Sequence, residues 1–309
     1  MCHGKRQGPK KYASRMNHLK LITLICVLVS CERAGAPIVS TALFLYPGVS
    51  NPTRSQDPDA YIITDYNLMV FNSLGLLEEK IFVSSRDMEP ATEGIRLEMN
   101  FLKGAAYTIL AAANIGYSLP PMTLEEALRY RCHLAYPDEF SRGIPMSGLV
   151  ENAVASENGA ISVPLQRLMA RLDVETDTGG LDHGVTVIFR EAAVGACPSS
   201  ALLFSPSKRD GATTTFYNGY SKKMNDGRAT LYLLETLGEE RGPYVELKAE
   251  YFSDKWHTVP GGRVIYRFYP DGGNIRRNSL YTIRVKLKGD GLSADDGWSI
   301  DRGDLAEGR

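Results

Sequence analysis

The side chains able to do chemistry in this chain are few and far apart. Beyond its first thirty residues it has three histidines, His133, His183 and His257, each fifty residues or more from the next. No pair stands at the spacing of metal ligands, and Cys132 beside His133 is not a zinc pattern. The acidic run Asp290, Asp295, Asp296, Asp301 and Asp304 raises calcium as a question, but it lacks the register of an EF-hand loop and reads as a solvated tail. Glu125 and Glu126 are adjacent on one short helical stretch, face different directions and do not make an acid/base pair. Phosphate-binding loops and nucleophile elbows are absent. No catalytic residue, metal or cofactor is assigned, and no enzymatic activity is expected.

One cysteine does stand in a reactive context. Residues 1–20 carry Lys5, Arg6, Lys10, Lys11, Arg15 and Lys20 and no acid; the apolar run Leu21–Val29 follows, then Ser30 and Cys31. A basic flank, a short greasy stretch and a small residue before a cut is the layout of a secretory signal. The run is far short of the ~20 apolar residues a membrane-spanning helix needs. With Thr23 as its only polar residue, it also lacks the polar face of a core helix. Leu28-Val-Ser-Cys31 resembles the lipobox of bacterial lipoprotein precursors, in which the cysteine sulfur takes a diacylglycerol before the preceding peptide bond is cut. Residues 1–30 are therefore expected to be a cleaved leader, with Cys31 as the lipidated first residue. Translation from Met1 or from Met16 gives an acceptable leader.

What remains is large enough for one big domain or two ordinary ones. Six of the 35 lysines and arginines precede Cys31, so 29 bases face 36 acids in the remainder. That balance, with dispersed basic residues, argues against a nucleic-acid partner. Cys132 and Cys197 do not make a disulfide framework. One bridge is open on paper, but Cys132 follows a helical segment and Cys197 lies in a loop past the expected domain boundary, so both are expected unpaired.

The elements that would position any site are strands. Tyr281, Ile283, Val285 and Leu287 alternate with Thr282, Arg284, Lys286 and Lys288. Val245, Leu247, Ala249 and Tyr251 alternate with charged residues, and so do Leu168, Ala170, Leu172 and Val174 with Met169, Arg171, Asp173 and Glu175. Such period-2 patterns put one face on a core and the other in water. Further strands are expected at 38–46, 66–71, 79–84, 94–101, 105–113, 161–165, 185–194, 229–236 and 263–269. Only Thr123–Tyr130 reads as a helix, with Thr123 and Glu126 as a capping box after Pro120-Pro121. Many short strands punctuated by Gly, Pro, Asn and Asp predict an all-β chain of antiparallel sandwiches. The Gly-rich stretch 177–184 is the expected joint, giving an N-terminal sandwich over 31–180 and a C-terminal one over 181–309.

Several stretches together resemble one family, the fimbrillins of type V pili. In the first half they are Asp65-Tyr-Asn-Leu-Met-Val-Phe71, Tyr107-Thr-Ile-Leu-Ala-Ala-Ala-Asn-Ile-Gly116, Gly143-Ile-Pro-Met-Ser-Gly148 and Pro164-Leu-Gln-Arg-Leu-Met-Ala-Arg171. In the second they are Pro243-Tyr-Val-Glu-Leu-Lys-Ala-Glu-Tyr251, Tyr266-Arg-Phe-Tyr269, Arg276-Arg-Asn-Ser-Leu-Tyr-Thr-Ile283, Gly289-Asp-Gly-Leu292 and Trp298. The resemblance implies two tandem transthyretin-like β-sandwiches with one short helix in the first. It also implies export as a lipoprotein to the outer membrane and incorporation in a surface fimbrium with other subunits. In that family an arginine-specific protease can remove a subunit's first strand, and a strand from the next subunit refills the groove. The physics is strand addition: an edge with unpaired N–H and C=O groups is a template for an extended donor.

Within that scheme two places matter. Arg54, in the polar loop Asn51-Pro-Thr-Arg-Ser-Gln-Asp57 after the expected first strand, is a candidate processing site, although loop arginines are common. Leu43 and Leu45 would plug the first-strand groove while that strand is retained. After Leu287 only a short tail with the apolar patch Trp298-Ser-Ile300 remains, where a stalk subunit would carry a longer alternating donor segment. The expected role is therefore a minor, anchor-type subunit tethered by lipid on Cys31. The alternatives are a tip or stalk pilin processed at Arg54, a carbohydrate-binding surface lipoprotein using Trp256, Tyr217, Tyr220, Tyr269 and Trp298 as stacking rings, or a secreted hydrolase on a sandwich fold.

Overall fold

The computed structural model describes residues 37–48, 62–133, 143–205, 216–217, 220–237, 242–254, 262–294 and 297–304. Cys31, Arg54, Trp256 and His257 lie outside them. Val39–Arg309 forms one compact unit. It is almost entirely β structure, as the alternation predicts, and no described helix is long and apolar enough to cross a membrane.

The first half is built from β1 (Ile38–Pro47), β2 (Tyr66–Phe71), β3 (Leu77–Val83), β4 (Ile95–Leu102), β5 (Ala106–Ala113), β7 (Met146–Val154) and β8 (Ala160–Arg167). They form a single sheet in the order β3-β2-β5-β7-β8-β1-β4. It turns a corner where β7 meets β8 through only Met146↔Arg167 and Ser147↔Gln166. Gly148 makes that corner feasible, since a Cβ there would stand 2.5 Å from the Pro164 carbonyl oxygen. The resulting sandwich encloses Leu43, Leu45, Leu68, Val70, Phe101, Ile109, Val163 and Leu165.

Between β5 and β7 lie a short helix, α1 (Leu124–Leu128), and β6 (Arg131–His133). Thr123 caps α1 as expected: its hydroxyl accepts from the Glu126 N–H, and the Glu126 carboxylate accepts from the Thr123 N–H at 2.8 Å. The Thr123 N–H first, and then the Thr123 hydroxyl, both donate to the Glu126 carboxylate and hold it below its usual pKa.

The second sandwich faces the sheet β14-β10-β16-β17 with the sheet β15-β9-β18-β19. Their spans are β9 (Met169–Leu181), β10 (Val185–Gly195), β14 (Tyr220–Lys223), β15 (Arg228–Leu234), β16 (Tyr244–Ser253), β17 (Arg263–Phe268), β18 (Ser279–Gly289) and β19 (Trp298–Asp304). The alternating residues named from the sequence all point inward: Val245, Leu247, Tyr281, Ile283 and Val285 are fully buried.

Strand pairing moves one element across the expected boundary. The alternating stretch 168–175, assigned by position to the first half, is the body of β9. It pairs antiparallel with β15 and parallel with β18. The stretch 177–184 is then not a joint but the end of β9 and its turn into β10, with Gly180 level with Lys288 and Gly184 at φ 84°. Alternation reports a buried face without saying which sheet owns it, so the sequence pattern could not place this strand.

The two halves share a plan. β1 in the first and β9 in the second each open a sandwich, lie inside a layer, and pair in parallel with a late strand, β8 or β18. Among the described residues β19 has no counterpart in the first half.

A third apolar cluster joins the halves. It contains Met69, Phe71, Leu110 and Ala112 from the outer face of β2 and β5, with Leu168, Met169, Ala201, Leu203, Phe204 and Leu234. That explains why β2 is buried along its whole length and reads as a continuous apolar run. The strap that carries Ala201 begins with β11 (Cys197–Pro198), paired with β13 (Phe216–Tyr217), and continues as β12 (Ser200–Leu202), paired with β6. Cys132 and Cys197 are both free and buried, in different clusters.

Candidate functional site: the first-strand groove

β1 occupies the interior of its layer, with β8 on one side and β4 on the other. Its pairing with β8 runs in parallel register from Ala42↔Ala160 to Pro47↔Leu165. Backbone bonds extend the ladder at both ends, Ala42 N–H to Gly159 O at 3.0 Å and Gly48 N–H to Leu165 O at 2.8 Å.

Side chains alternate as the sequence predicts. Val39, Thr41, Leu43 and Leu45 face the core, and Leu43 and Leu45 have no exposed surface. Thr41 is the one polar member of that face, and its hydroxyl donates to the Ser156 carbonyl at 3.0 Å. On the outer face the Arg96 guanidinium lies 5.3 Å from the Phe44 ring centroid, and Ser40 bonds Glu98. Gly94, at the entry to β4, has φ 103°, and a Cβ on it would come within 2.5 Å of the Leu45 carbonyl oxygen. A glycine is therefore required for β4 to approach β1 there.

Remove β1 and the vacancy is lined by apolar side chains from three directions: Leu68 and Val70 of β2, Met99 and Phe101 of β4, Ile161 and Val163 of β8. Two freed ladders, on β4 and β8, would face each other across it. Such a slot accepts an extended chain with apolar side chains at every second position.

The rest of the sequence-predicted chemistry does not converge. His133 ends β6, His183 sits in the turn before β10, and Asp301 is ion-paired with Arg284. Among the described residues no group of three or more His, Cys, Asp or Glu could hold a metal. Tyr220 is a buried core residue, whereas Tyr269 and Trp298 line one cleft.

A buried polar knot escapes sequence reasoning. Asp65 accepts from the N–H groups of Ile115 and Gly116, and Asn67 accepts from Leu119 N–H. Asn114, at φ 60°, donates to the carbonyls of Ile62 and Ile144. These side chains replace a ladder where β5 leaves the sheet. Asp65-Tyr-Asn and Ala-Asn-Ile-Gly116 are both stretches that carry the family resemblance, so polar residues inside apolar runs were the available signal.

Residues 48–181 match the family model described as major fimbrial subunit protein (FimA). No curated protein matches the sequence. Among solved structures, the chain is similar to the tip fimbrial protein of Porphyromonas gingivalis in a C-terminally truncated form, with 14% identity, a TM-score of 0.61, and 87% of this chain and 100% of that one covered. It is similar to a fimbrilin of the same organism, with 13% identity, a TM-score of 0.60, and 85% and 96% covered. It is also similar to a fimbrial assembly protein of Parabacteroides distasonis, with 13% identity, a TM-score of 0.56, and 87% and 96% covered. The resemblance to the fimbrillin family is thus borne out: residues 48–181 match its major-subunit model, and the tandem-sandwich fold is shared with solved fimbrial proteins well beyond that stretch.

Proposed function

We propose that this chain is a structural subunit of a surface fimbrium, a minor subunit of anchor type that assembles with its neighbours by β-strand complementation. The observation that carries the reading is the placement of β1. The first of the described strands lies inside a layer between β8, to which a parallel ladder binds it, and β4, and it inserts Leu43 and Leu45 into the core. A chain tethered through lipid on Cys31 would have its tether a few residues ahead of this strand. Retaining β1 then both fixes the protein to the outer membrane and keeps its own groove filled, which suits the base of a fibre.

Cleavage after Arg54 gives the opposite outcome. It would release β1 with its lipid and leave the groove for a donor from another subunit, at about 1.5–3 kcal/mol for each large apolar side chain that the donor fails to replace. Mass spectrometry of the protein recovered from the cell surface decides. An acylated N-terminus at Cys31 with β1 present is the expected result. A species beginning at Ser55 overturns the anchor role and makes the chain a processed tip or stalk subunit. The role is structural, and no catalytic step is assigned.

A further inference from the structure

The layer that contains β1 has β8 on one side of it and β4 on the other, and these two neighbours are held very differently. β8 buries Ile161, Val163 and Leu165 and joins β7 at the corner, so it has a place of its own. β4 is an edge strand whose sheet neighbour, among the described strands, is β1 alone. Its far side borders an open cleft of about 340 Å³, where Glu79 and Ile81 of β3 stand across from Glu98 and Asn100.

β4 is pinned at its two ends and not in its first half. Ahead of it, Ala91 and Ile63 exchange two backbone hydrogen bonds, at 2.9 and 2.8 Å, and Ile63 has no exposed surface. At the far end the Phe101 ring packs on Tyr107 with centroids 4.8 Å apart, and the Leu102 N–H donates to the Tyr107 hydroxyl. Met99 and Phe101 are buried, whereas Ile95 and Leu97 are only partly so.

Between the pins run residues 92–98, and their contacts with β1 are what hold them in line. Gly94 leaves no room for a Cβ beside the Leu45 carbonyl, Arg96 lies over the Phe44 ring, and the Ser40 hydroxyl donates to Glu98. Arg96 and Glu98 also pair with each other, which ties neither to the core. A segment with one ladder and few buried apolar contacts opens at a lower free energy than the strands behind it.

We propose that residues 92–98 form a flap that β1 holds shut. When β1 leaves, the flap swings off the layer about its pins at Ala91 and Phe101, and it closes again only on a strand in the place of β1. The slot is thus completed by its occupant. A donor that reaches the Phe44 and Leu45 positions is gripped by β8 and β4 together, whereas a shorter one meets β8 alone. This use of the flap rests on the complementation reading; the motion itself belongs to the single chain.

Hydrogen exchange read at single amides of the intact purified chain tests it. Thr41→Val keeps the shape of β1 and removes the hydroxyl bond to Ser156. It should speed exchange in β1 up to about tenfold. The protected amides of 94–98 should speed up by the same factor, with β2 and β5 unchanged. Arg96→Gln should speed the flap about threefold, while the Ala42 N–H, bonded to Gly159, keeps its rate. A flap that stays protected while β1 loosens overturns the proposal, because the slot would then stand by itself. Equal acceleration of β2 and β5 overturns it too, since β1 would leave only when the whole sandwich unfolds. Equal acceleration of flap and Ala42 by Arg96→Gln reverses the dependence and overturns it as well. Any of these results strikes the flap and leaves strand complementation standing. A fimbrium without donor-filled grooves would strike complementation and leave the flap.

Discussion

Arg277 and Glu235 form an ion pair almost wholly inside the protein, with Nη2 2.8 Å from Oε2 and side-chain exposures of 9% and 4%. The same guanidinium donates to the carbonyls of Leu202, Leu203 and Ser205. Those carbonyls belong to the strap whose β12 strand pairs with β6 of the first half, and Ser147 of β7 donates to Leu203 O as well. One arginine of the second half thus holds the segment through which the halves share a core.

Replacing Arg277 by Met takes the guanidinium away from the buried Glu235 carboxylate and removes one donor each from the carbonyls of Leu202, Leu203 and Ser205. The expected cost is about 3–5 kcal/mol, read from urea unfolding. Adding Glu235→Leu should recover part of that loss, because the stranded charge is then gone. Both variants should unfold in one transition, since Met69, Phe71, Ala201 and Leu234 belong to a common cluster. Two separate transitions with only one displaced would mean that the sandwiches are independent.

The two faces of β1 should respond unequally. Leu43→Ala opens a cavity in a closed core and should cost about 2–5 kcal/mol. Ser40→Ala, on the exposed face, should change stability by no more than about 0.5 kcal/mol. Gly94→Ala should behave like Leu43→Ala and not like a surface change, because its Cβ would collide with the backbone of β1. Equal small effects at all three positions would remove β1 from the list of strands that hold the fold.

Burial pushes the Cys132 thiol from 9.0 up to about 11 and raises that of Cys197 further. A raised thiol pKa in the folded state means that the native protein holds its proton more tightly than the unfolded chain. The stability this contributes is complete below pH 9 and is lost as pH rises toward 11. Alkylation at pH 8 should therefore be slow in the native protein and fast in urea. Cys132→Ala should flatten part of the decline in stability between pH 9 and 11. Rapid native alkylation at pH 8 would contradict the buried placement.

Cys31→Ala should abolish acylation and shift the protein from the membrane fraction to precursor or soluble form. Under the proposed lipid tether, acyl chains at about 0.8 kcal/mol per buried CH₂ would hold the protein firmly to the membrane, so the change should be large. Unaltered fractionation and unaltered mass in that variant would refute the lipid tether.

Much of the sandwich core was legible because strict alternation needs no tertiary information. The inward set Tyr281, Ile283, Val285 and Leu287 and the capped helix at Thr123 are local patterns. What was missed depends on neighbours. β7 is not among the strands expected from the sequence, because Gly148, Glu151 and Asn152 (φ 54°) break its pattern. β12 and β6 are short and exist through each other, on a cluster that forms only when both halves are present. β19 holds only Trp298 and Ile300 as apolar residues, and its partner β18 decides its course. The groove residues Leu43 and Leu45 were readable from alternation, whereas Gly94, which lets β4 lie against them, is visible only as a backbone contact.

The parallel pairing of β1 also sets a schedule. Thr41 and Ser156, joined by a hydrogen bond, are 115 residues apart in the chain. A chain threaded outward from its N-terminus releases β1 first, yet the ladder that secures it cannot form until β8 has followed. Contacts of such long sequence separation close late, because loop entropy must be overcome before they contribute. Of the described strands, β1 is therefore the earliest to emerge and among the last to lock. In that interval its place in the sheet is open to whichever extended segment is nearest, its own or a neighbour's.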